Sequence, residues 1–352
     1  MIRFEPRPSA TAGTLARARL LALAAAFALA AIPLAAAGAP VGRAYLLMLE
    51  GAAGTLFALT ETLTRATPLI FTGLAAAIAF RARLYNIGGE GQLYLGALAA
   101  VAIGSGAVAA PPVVLVPLVL LAAALAGAAF MLGPTVLKAR FGVDEVVTTL
   151  LLNFVALLFV QMMLEGPLKD SMGGGWPQSE PLLPEASLPA LVPRMRLHLG
   201  FVLGLAACVL LHVLVGRTVL GLKIRAVGEN AAASAYAGIP VTGTLLLVGA
   251  MSGGLAGVAG ASEVAGLKGY LTADLSRGFG YAGIVVAMVA GLQPLAVIPA
   301  ALLVAGVFVG ADTMSRALGV SSYIADLIVA LALLCVLVSG LFTRVRIRWK
   351  RA

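Results

Sequence analysis

An all-α bundle of membrane-spanning helices, about ten of them, is the fold class this sequence predicts. Three observations carry that expectation. The 352 residues are 61% hydrophobic and only 11% charged, whereas soluble domains hold about 25% charged and about 45–50% apolar residues. The apolar residues gather in runs that suit a hydrocarbon core, which takes about 20 residues to cross. The basic residues flank those runs instead of forming one patch, so the net charge of +9 reads as membrane orientation and not as a nucleic-acid surface. A water-soluble fold has no way to bury this much apolar surface, so the solvent is lipid. The 41 glycines fit that setting, because small residues let membrane helices approach closely.

The spans follow in order at about residues 18–38, 67–83, 91–109, 112–137, 144–164, 198–216, 241–262, 275–292, 294–311 and 322–342. The first run also carries marks of a cleaved leader, with Arg17 and Arg19 before it and Ala35, Ala36 and Ala37 near its end. It is long for the apolar part of a leader, which favours a span. The segment 45–64 is half apolar but holds Glu50 and Glu61, and reads as an interfacial or re-entrant helix. Gly291-Leu-Gln-Pro294 breaks the apolar run 275–311 into two short spans, since proline removes a backbone donor and clashes with the preceding turn. The loop 165–197 is rich in proline and glycine, and reads as irregular and exposed. It divides the spans five and five, and an odd number per half makes any internal repeat an inverted one. No residue-level repeat accompanies that symmetry.

Charge asymmetry sets the orientation. With the N-terminus in the cytoplasm, sixteen of the 24 basic residues fall inside: Arg3, Arg7, Arg17 and Arg19 in the tail 1–17 and just after it; Arg81 and Arg83; Lys138 and Arg140; Arg217, Lys223 and Arg225 in the loop 217–240; and Arg344, Arg346, Arg348, Lys350 and Arg351 in the tail 343–352. Positive loops stay on the cytoplasmic side. Both termini are then cytoplasmic, and the whole chain is one transmembrane domain.

Catalytic and metal chemistry have nothing to stand on. The chain lacks a Gly-x-x-x-x-Gly-Lys-[Ser/Thr] phosphate loop, a His-Glu-x-x-His pair and a Gly-x-Ser-x-Gly elbow. Cys208 and Cys335 sit inside apolar runs without metal-ligand spacing, and His198 and His212 form no constellation. The expectation is therefore no enzyme, no metal and no cofactor. Few acids fall within spans, which counts against a proton relay and an ion-gradient-driven transporter or channel.

Two polar segments remain. Asn86-Ile-Gly-Gly-Glu-Gly-Gln92 interrupts two apolar runs. It reads either as a plain cytoplasmic turn, with Glu90 placing its charge at a helix start, or as irregular backbone against a water-filled pathway. In the second reading Asn86, Glu90 and Gln92 line that pathway. Asn153 and Ser252, each inside a span, are candidates for it too, although Ser252 and the glycines beside it suit helix packing first. Asp144 and Glu145 stand where they would cap and charge a helix start. In the loop 217–240, Lys223 and Arg225 sit at the membrane face, and the alanine-rich stretch 229–237 suits a short helix. Asn230 is placed to start that helix, and Gly238 and Pro240 to end it.

These segments carry a resemblance. Asn86-Ile-Gly-Gly-Glu-Gly-Gln92 is similar to a signature of permeases in the sugar and branched-chain-amino-acid ABC-importer superfamily. Leu137-Lys-Ala-Arg-Phe-Gly-Val-Asp-Glu-Val-Val-Thr-Thr-Leu-Leu-Leu-Asn153, Gly166-Pro-Leu-Lys-Asp170 and Arg225-Ala-Val-Gly-Glu-Asn230 resemble its nucleoside-importer branch. Order and spacing cover about residues 45–342. One departure is Glu229-Asn-Ala-Ala-Ala, where relatives commonly carry proline after the asparagine and an arginine nearby.

The resemblance implies a permease subunit of an ATP-driven importer of nucleosides or related simple sugars, in a bacterial inner membrane. Its partners would be a separate ATPase that uses the ATP, a second permease in a heterodimer, an extracytoplasmic substrate-binding protein and membrane lipid. Lys223, Arg225, Gly228, Glu229, Asn230, Ser234, Tyr236 and Gly238 would couple to the ATPase. Asn86, Glu90, Gln92, Asn153 and Ser252 would flank the translocation pathway.

Overall fold

A computed structural model describes residues 2–6 and 12–349. Arg7, Lys350 and Arg351, counted above among the tail charges, lie outside the described residues. The all-helical class is as expected, apart from one two-stranded ribbon in which β1 (Ile2–Pro6) pairs antiparallel with β2 (Val345–Trp349). The chain forms two compact units, residues 63–301 and residues 1–62 with 302–352.

In the unit of residues 1–62 and 302–352, α1 (Ala12–Ala36) packs along α13 (Ser322–Arg344). The chain then turns through 119° into α2 (Val41–Ala53). Tyr45 fixes this corner: its ring meets Phe27 edge-on at 5.0 Å and its hydroxyl donates to the Phe27 carbonyl. Gly310, on α12 (Val297–Leu318), packs against the Met48 backbone. The expected segment 45–64 is divided. Its first part belongs to α2, and residues from Leu56 onward already form α3 (Leu56–Arg81), which continues through Pro68.

In the unit of residues 63–301, three helices pack most closely: α4 (Gly89–Gly104), α5 (Pro112–Phe141) and α10 (Val241–Glu263). Backbone meets backbone there. A Cβ on Gly257 would overlap the Ala123 carbonyl, and one on Gly96 would overlap the Gly257 carbonyl. Lipid supplies no hydrophobic force between helices, so such close van der Waals packing takes its place. Around this core stand α6 (Glu145–Glu165) and α7 (Gly200–Arg217). The short helices α8 (Val219–Glu229) and α9 (Ala231–Tyr236) follow α7, and the half-length α11 (Phe279–Val289) closes the unit.

The number of spans is corrected downward. Among the described residues, six helices are long and apolar enough to cross a membrane, or seven if the bent pair Ala24–Ala36 and Val41–Ala53 counts as one span. The about ten expected exceeds this because α4 has 16 residues and α11 has 11. At 1.5 Å per residue these reach about 24 and 16 Å, short of the ~30 Å core. The described apolar part of α13, Ser322–Cys335, is also short. The break between α11 and α12 falls at Ala290–Ala296, where the Gly291-Leu-Gln-Pro294 signal placed it.

The loop 165–197 is irregular but not free. Ser179 donates from its amide to the Leu271 carbonyl, and its hydroxyl accepts the Leu271 amide. Leu182 and Leu188 donate to the Gly269 and Ala265 carbonyls. These bonds lace the loop to the segment after α10 and bury Ser179, Leu182, Ala186 and Leu188. The loop is irregular and largely exposed, as expected from its proline content, and this backbone pairing anchors the part of it that is buried.

Replacing Gly257 with valine is expected to lower the thermal unfolding midpoint of the detergent-solubilised protein by the equivalent of about 1–3 kcal/mol or more, the range for overpacking. Gly133, where an added methyl group would meet nothing within 4 Å, takes alanine without loss. Equal midpoints for the two variants would refute the close-packed core.

Candidate functional site

The unit of residues 63–301 holds two polar constructions. The first surrounds the turn between α3 and α4. Here the chain leaves one helix and starts the next without a capping side chain at Gly88. The missing acceptors come from α6. Glu145, Thr149 and Asn153 recur every four residues and share one helix face. Glu145 Oε1 accepts the Tyr85 amide at 2.9 Å, Thr149 Oγ1 the Ile87 amide at 3.1 Å, and Asn153 Oδ1 the Gly91 amide at 2.9 Å.

Asn86 completes the set. Its Oδ1 accepts the Gly88 amide, and its Nδ2 donates to Gln92 Oε1 and to Ser252 Oγ, each at 2.9 Å. Ser252 donates onward to the Ala75 carbonyl at 2.8 Å. Asn153 Nδ2 donates to the Ile87 carbonyl and to the Tyr281 hydroxyl, at 2.9 and 3.1 Å. Glu90 reaches across to α11, where its Oε2 accepts the Gly280 amide at 2.7 Å. A carboxylate at that position complements the positive end of a helix.

All five predicted pathway residues, Asn86, Glu90, Gln92, Asn153 and Ser252, therefore meet around one turn, and none is more than 4% exposed. Their polar atoms bind protein. Tyr281, 39% exposed, is where the network reaches the surface of the chain.

Asp144 caps α6 by accepting the Val146 amide at 2.8 Å, as expected. Glu145 does something else. It is buried, takes the Tyr85 amide and pairs with Lys138, which also donates to the Arg83 carbonyl at 2.8 Å. Sequence reading does not find Thr149, Tyr281 or this role of Glu145. The four-residue spacing of Glu145, Thr149 and Asn153 is the signal that could have found the first and last of them.

The second construction is the α8–α9 pair. The short helix expected over 229–237 forms as α9, capped by Asn230 through the Ala233 amide, and a second helix, α8, precedes it, capped by Thr218 through the Gly221 amide. Gly238, with φ 79°, ends α9. Arg225 donates to the Val215 carbonyl and ties α8 to α7. Gly228 is buried flat against the Arg81 carbonyl, where any Cβ would clash. Lys223 is half-buried, Ser234 is buried, and Glu229 and Asn230 are exposed. Tyr236 stands 98% exposed beside exposed alanines, with Leu222 and Val219 also uncovered on α8. Arg81, read from sequence only as an orientation charge, is the residue on which α8 rests.

Comparison with known proteins gives a consistent picture. The family described as the permease component of branched-chain amino acid transport systems matches residues 58–337. A guanosine ABC transporter permease of Bacillus subtilis is 36% identical over 319 residues, covering 90% of this chain and 91% of that protein. A glucose ABC transporter permease of Haloferax volcanii is 34% identical over 356 residues, covering 98% and 93%. A nucleoside ABC transporter permease of Lactococcus lactis is 30% identical over 273 residues, covering 75% of each chain. No solved structure shows significant similarity.

Asn153→Leu is expected to leave the Gly91 amide, the Ile87 carbonyl and the Tyr281 hydroxyl without their partner. Tyr281 reaches the surface and loses little, but a stranded buried group such as the Gly91 amide costs about 1–3 kcal/mol, so the thermal midpoint in detergent should fall clearly. Ser262→Ala, which removes only a bond to the nearby Ala259 carbonyl, should change it little. A midpoint for Asn153→Leu equal to that of the unmodified protein would show that the network does not hold the fold.

Proposed function

The chain belongs to the permease-component family of branched-chain amino acid transport systems and is a translocation subunit of an ABC importer, not an enzyme; we propose that its cargo is a nucleoside or a related simple sugar. Support for that cargo comes from the relatives, whose names specify guanosine, nucleosides and glucose. These are neutral solutes rich in hydroxyls. A permease for them needs polar surface without fixed charge, since amide and hydroxyl groups exchange hydrogen bonds without trapping the solute.

In this reading the α4–α6–α10–α11 network stands beside the pathway. Asn86, Glu90, Gln92, Asn153 and Ser252 hold its walls, and Tyr281 offers a ring and a hydroxyl where the network meets the surface. The partners are a separate ATPase, a second and different permease, and an extracytoplasmic binding protein. The membrane is a bacterial inner membrane with α8–α9 and both tails on the cytoplasmic side. Pairing of β1 with β2 supports placing both tails on one side.

The observation that carries the coupling role is the α8–α9 pair. Capped at Thr218 and Asn230, it presents Tyr236 fully to solvent on a chain with no phosphate loop of its own. A solvated aromatic at the end of a short helix is the kind of anchor that dominates protein interfaces. Lys223, Arg225, Gly228, Glu229, Asn230, Ser234 and Gly238 build and place this pair, and Tyr236 docks it.

Uptake of tritiated guanosine into vesicles holding the assembled transporter is expected to require ATP on the ATPase side and to survive ionophores that collapse ion gradients. Tyr236→Ala should weaken association with the ATPase by about 30-fold, the effect of losing about 2 kcal/mol at an interface anchor, while membrane abundance stays constant. Uptake that follows an ion gradient without ATP would overturn the importer mechanism. Full ATPase binding by the variant would remove Tyr236 from the interface.

A further inference from the structure

We propose that Arg81 is the positioning residue that makes the half-helix α11 follow the ATPase-driven movement of α8. This rests on the importer reading above and extends it to a transmission element inside the permease. Three observations converge on Arg81. Its carbonyl is the surface on which Gly228 of α8 rests, with no room for a side chain between them. Its guanidinium Nε donates to the Leu292 carbonyl at 2.8 Å, in the turn that ends α11. The residue is half-buried, in keeping with a placed group and not a solvated surface charge.

The turn it holds is strained. Gly291 and Leu292 both have φ 59°. The left-handed region suits glycine and disfavours leucine. Leu292 also donates from its amide to the Ala287 carbonyl at 2.9 Å, so the turn is gripped from α11 on one side and from Arg81 on the other. Strained backbone persists where surrounding bonds over-determine it.

The far end of α11 is gripped as well. Thr72 Oγ1, on the same helix as Arg81, donates to the Phe279 carbonyl at 3.0 Å, and Glu90 accepts the Gly280 amide. The 11-residue helix is thus tied to α3 at both ends. A push on α8 reaches the Arg81 backbone directly, and the Arg81 side chain carries it to Leu292. From there α11 moves with α3, and its first turn pulls on Glu90 and the polar network. Arginine suits this role because its planar fork holds a direction that the flexible lysine ammonium does not.

The test uses the assembled transporter in vesicles, with Cys208 and Cys335 replaced by alanine and single cysteines at Leu222 on α8 or at Leu295 in the α11–α12 turn, both exposed positions. Maleimide labelling rates are compared without nucleotide and with ATP plus vanadate. With Arg81 present, the rate at both positions should change about fivefold or more, the lower range of a typical coupling. In Arg81→Met, which keeps bulk but has no donor, the change at Leu222 should persist and the change at Leu295 should be lost. Leu292→Gly is the second variant. It leaves the carbonyl and Arg81 in place, relieves the left-handed strain and slackens the turn, so its unfolding temperature should be unchanged or higher while the Leu295 response at least halves. If Arg81→Met does not fold, Leu292→Gly decides alone. ATP-sensitive labelling at Leu295 that survives in the folded variants would overturn the transmission role. Labelling insensitive to ATP at both positions with Arg81 present would instead contradict the importer reading on which it rests.

Discussion

The structure depends on one constraint: a backbone polar group buried away from water needs a partner inside the protein, because leaving it unpaired costs as much as a lost hydrogen bond. Regular helices meet it by themselves. The turn from Ala82 to Gly88 and the first turns of α4 and α11 do not, since the first four N–H groups of a helix have no intrahelical acceptor. Side chains from elsewhere take them. Glu145, Thr149 and Asn153 serve Tyr85, Ile87 and Gly91; Asn86 serves Gly88; Glu90 serves Gly280. Acceptors borrowed from α6 and α4 let the chain keep an irregular, polar segment buried among its helices.

That solution also sets the packing. The borrowed acceptors reach their donors only if α4, α6, α10 and α11 stand close, and the backbone contacts at Gly96 and Gly257 provide that closeness between α4 and α10. Ser252 links the two devices. It lies on α10, four and five residues from Ala256 and Gly257, and it bridges Asn86 to the Ala75 carbonyl on α3. Packing and polar satisfaction are one arrangement, so motion at one helix is felt by the others. The half-length α11 is the shortest of these four helices, held at its ends by α3 and α4. In the transmission we propose for Arg81, it is the element that shifts when α8 is moved.

Much of this was legible in the sequence. Apolar runs locate the helices to within a few residues at α5, α6, α7 and α10, and Asn230, Gly238 and Asp144 end or start helices where their chemistry places them. Local signals of this kind act within a few residues. What escapes the sequence is long-range. Arg81 looks like an orientation charge until Leu292, 211 positions away, is seen at its guanidinium. The loop 165–197 looks free until its amides are paired with the segment after α10. Asn86, Gln92, Asn153 and Ser252 each stand out as polar groups in apolar surroundings, but the bonds that join them span up to 166 positions. The stripe on α6 is readable at helical spacing, yet Glu145 also suits a helix start, and that local role hides the long-range one. Hydropathy overestimates the count of spans because it registers an apolar run whether or not its helix is long enough to cross.

Amide hydrogen exchange tests the central claim most directly. In the detergent- or nanodisc-embedded protein, the amides of Ile87, Gly88, Gly91 and Gly280 should exchange as slowly as those in the middle of α10, although they lie in a turn and at helix starts, where amides ordinarily open first. Asn153→Leu should release Gly91 in particular. Fast exchange at all four amides in the unmodified protein would show that the borrowed acceptors do not hold the turn, and the account of the network would fall with them.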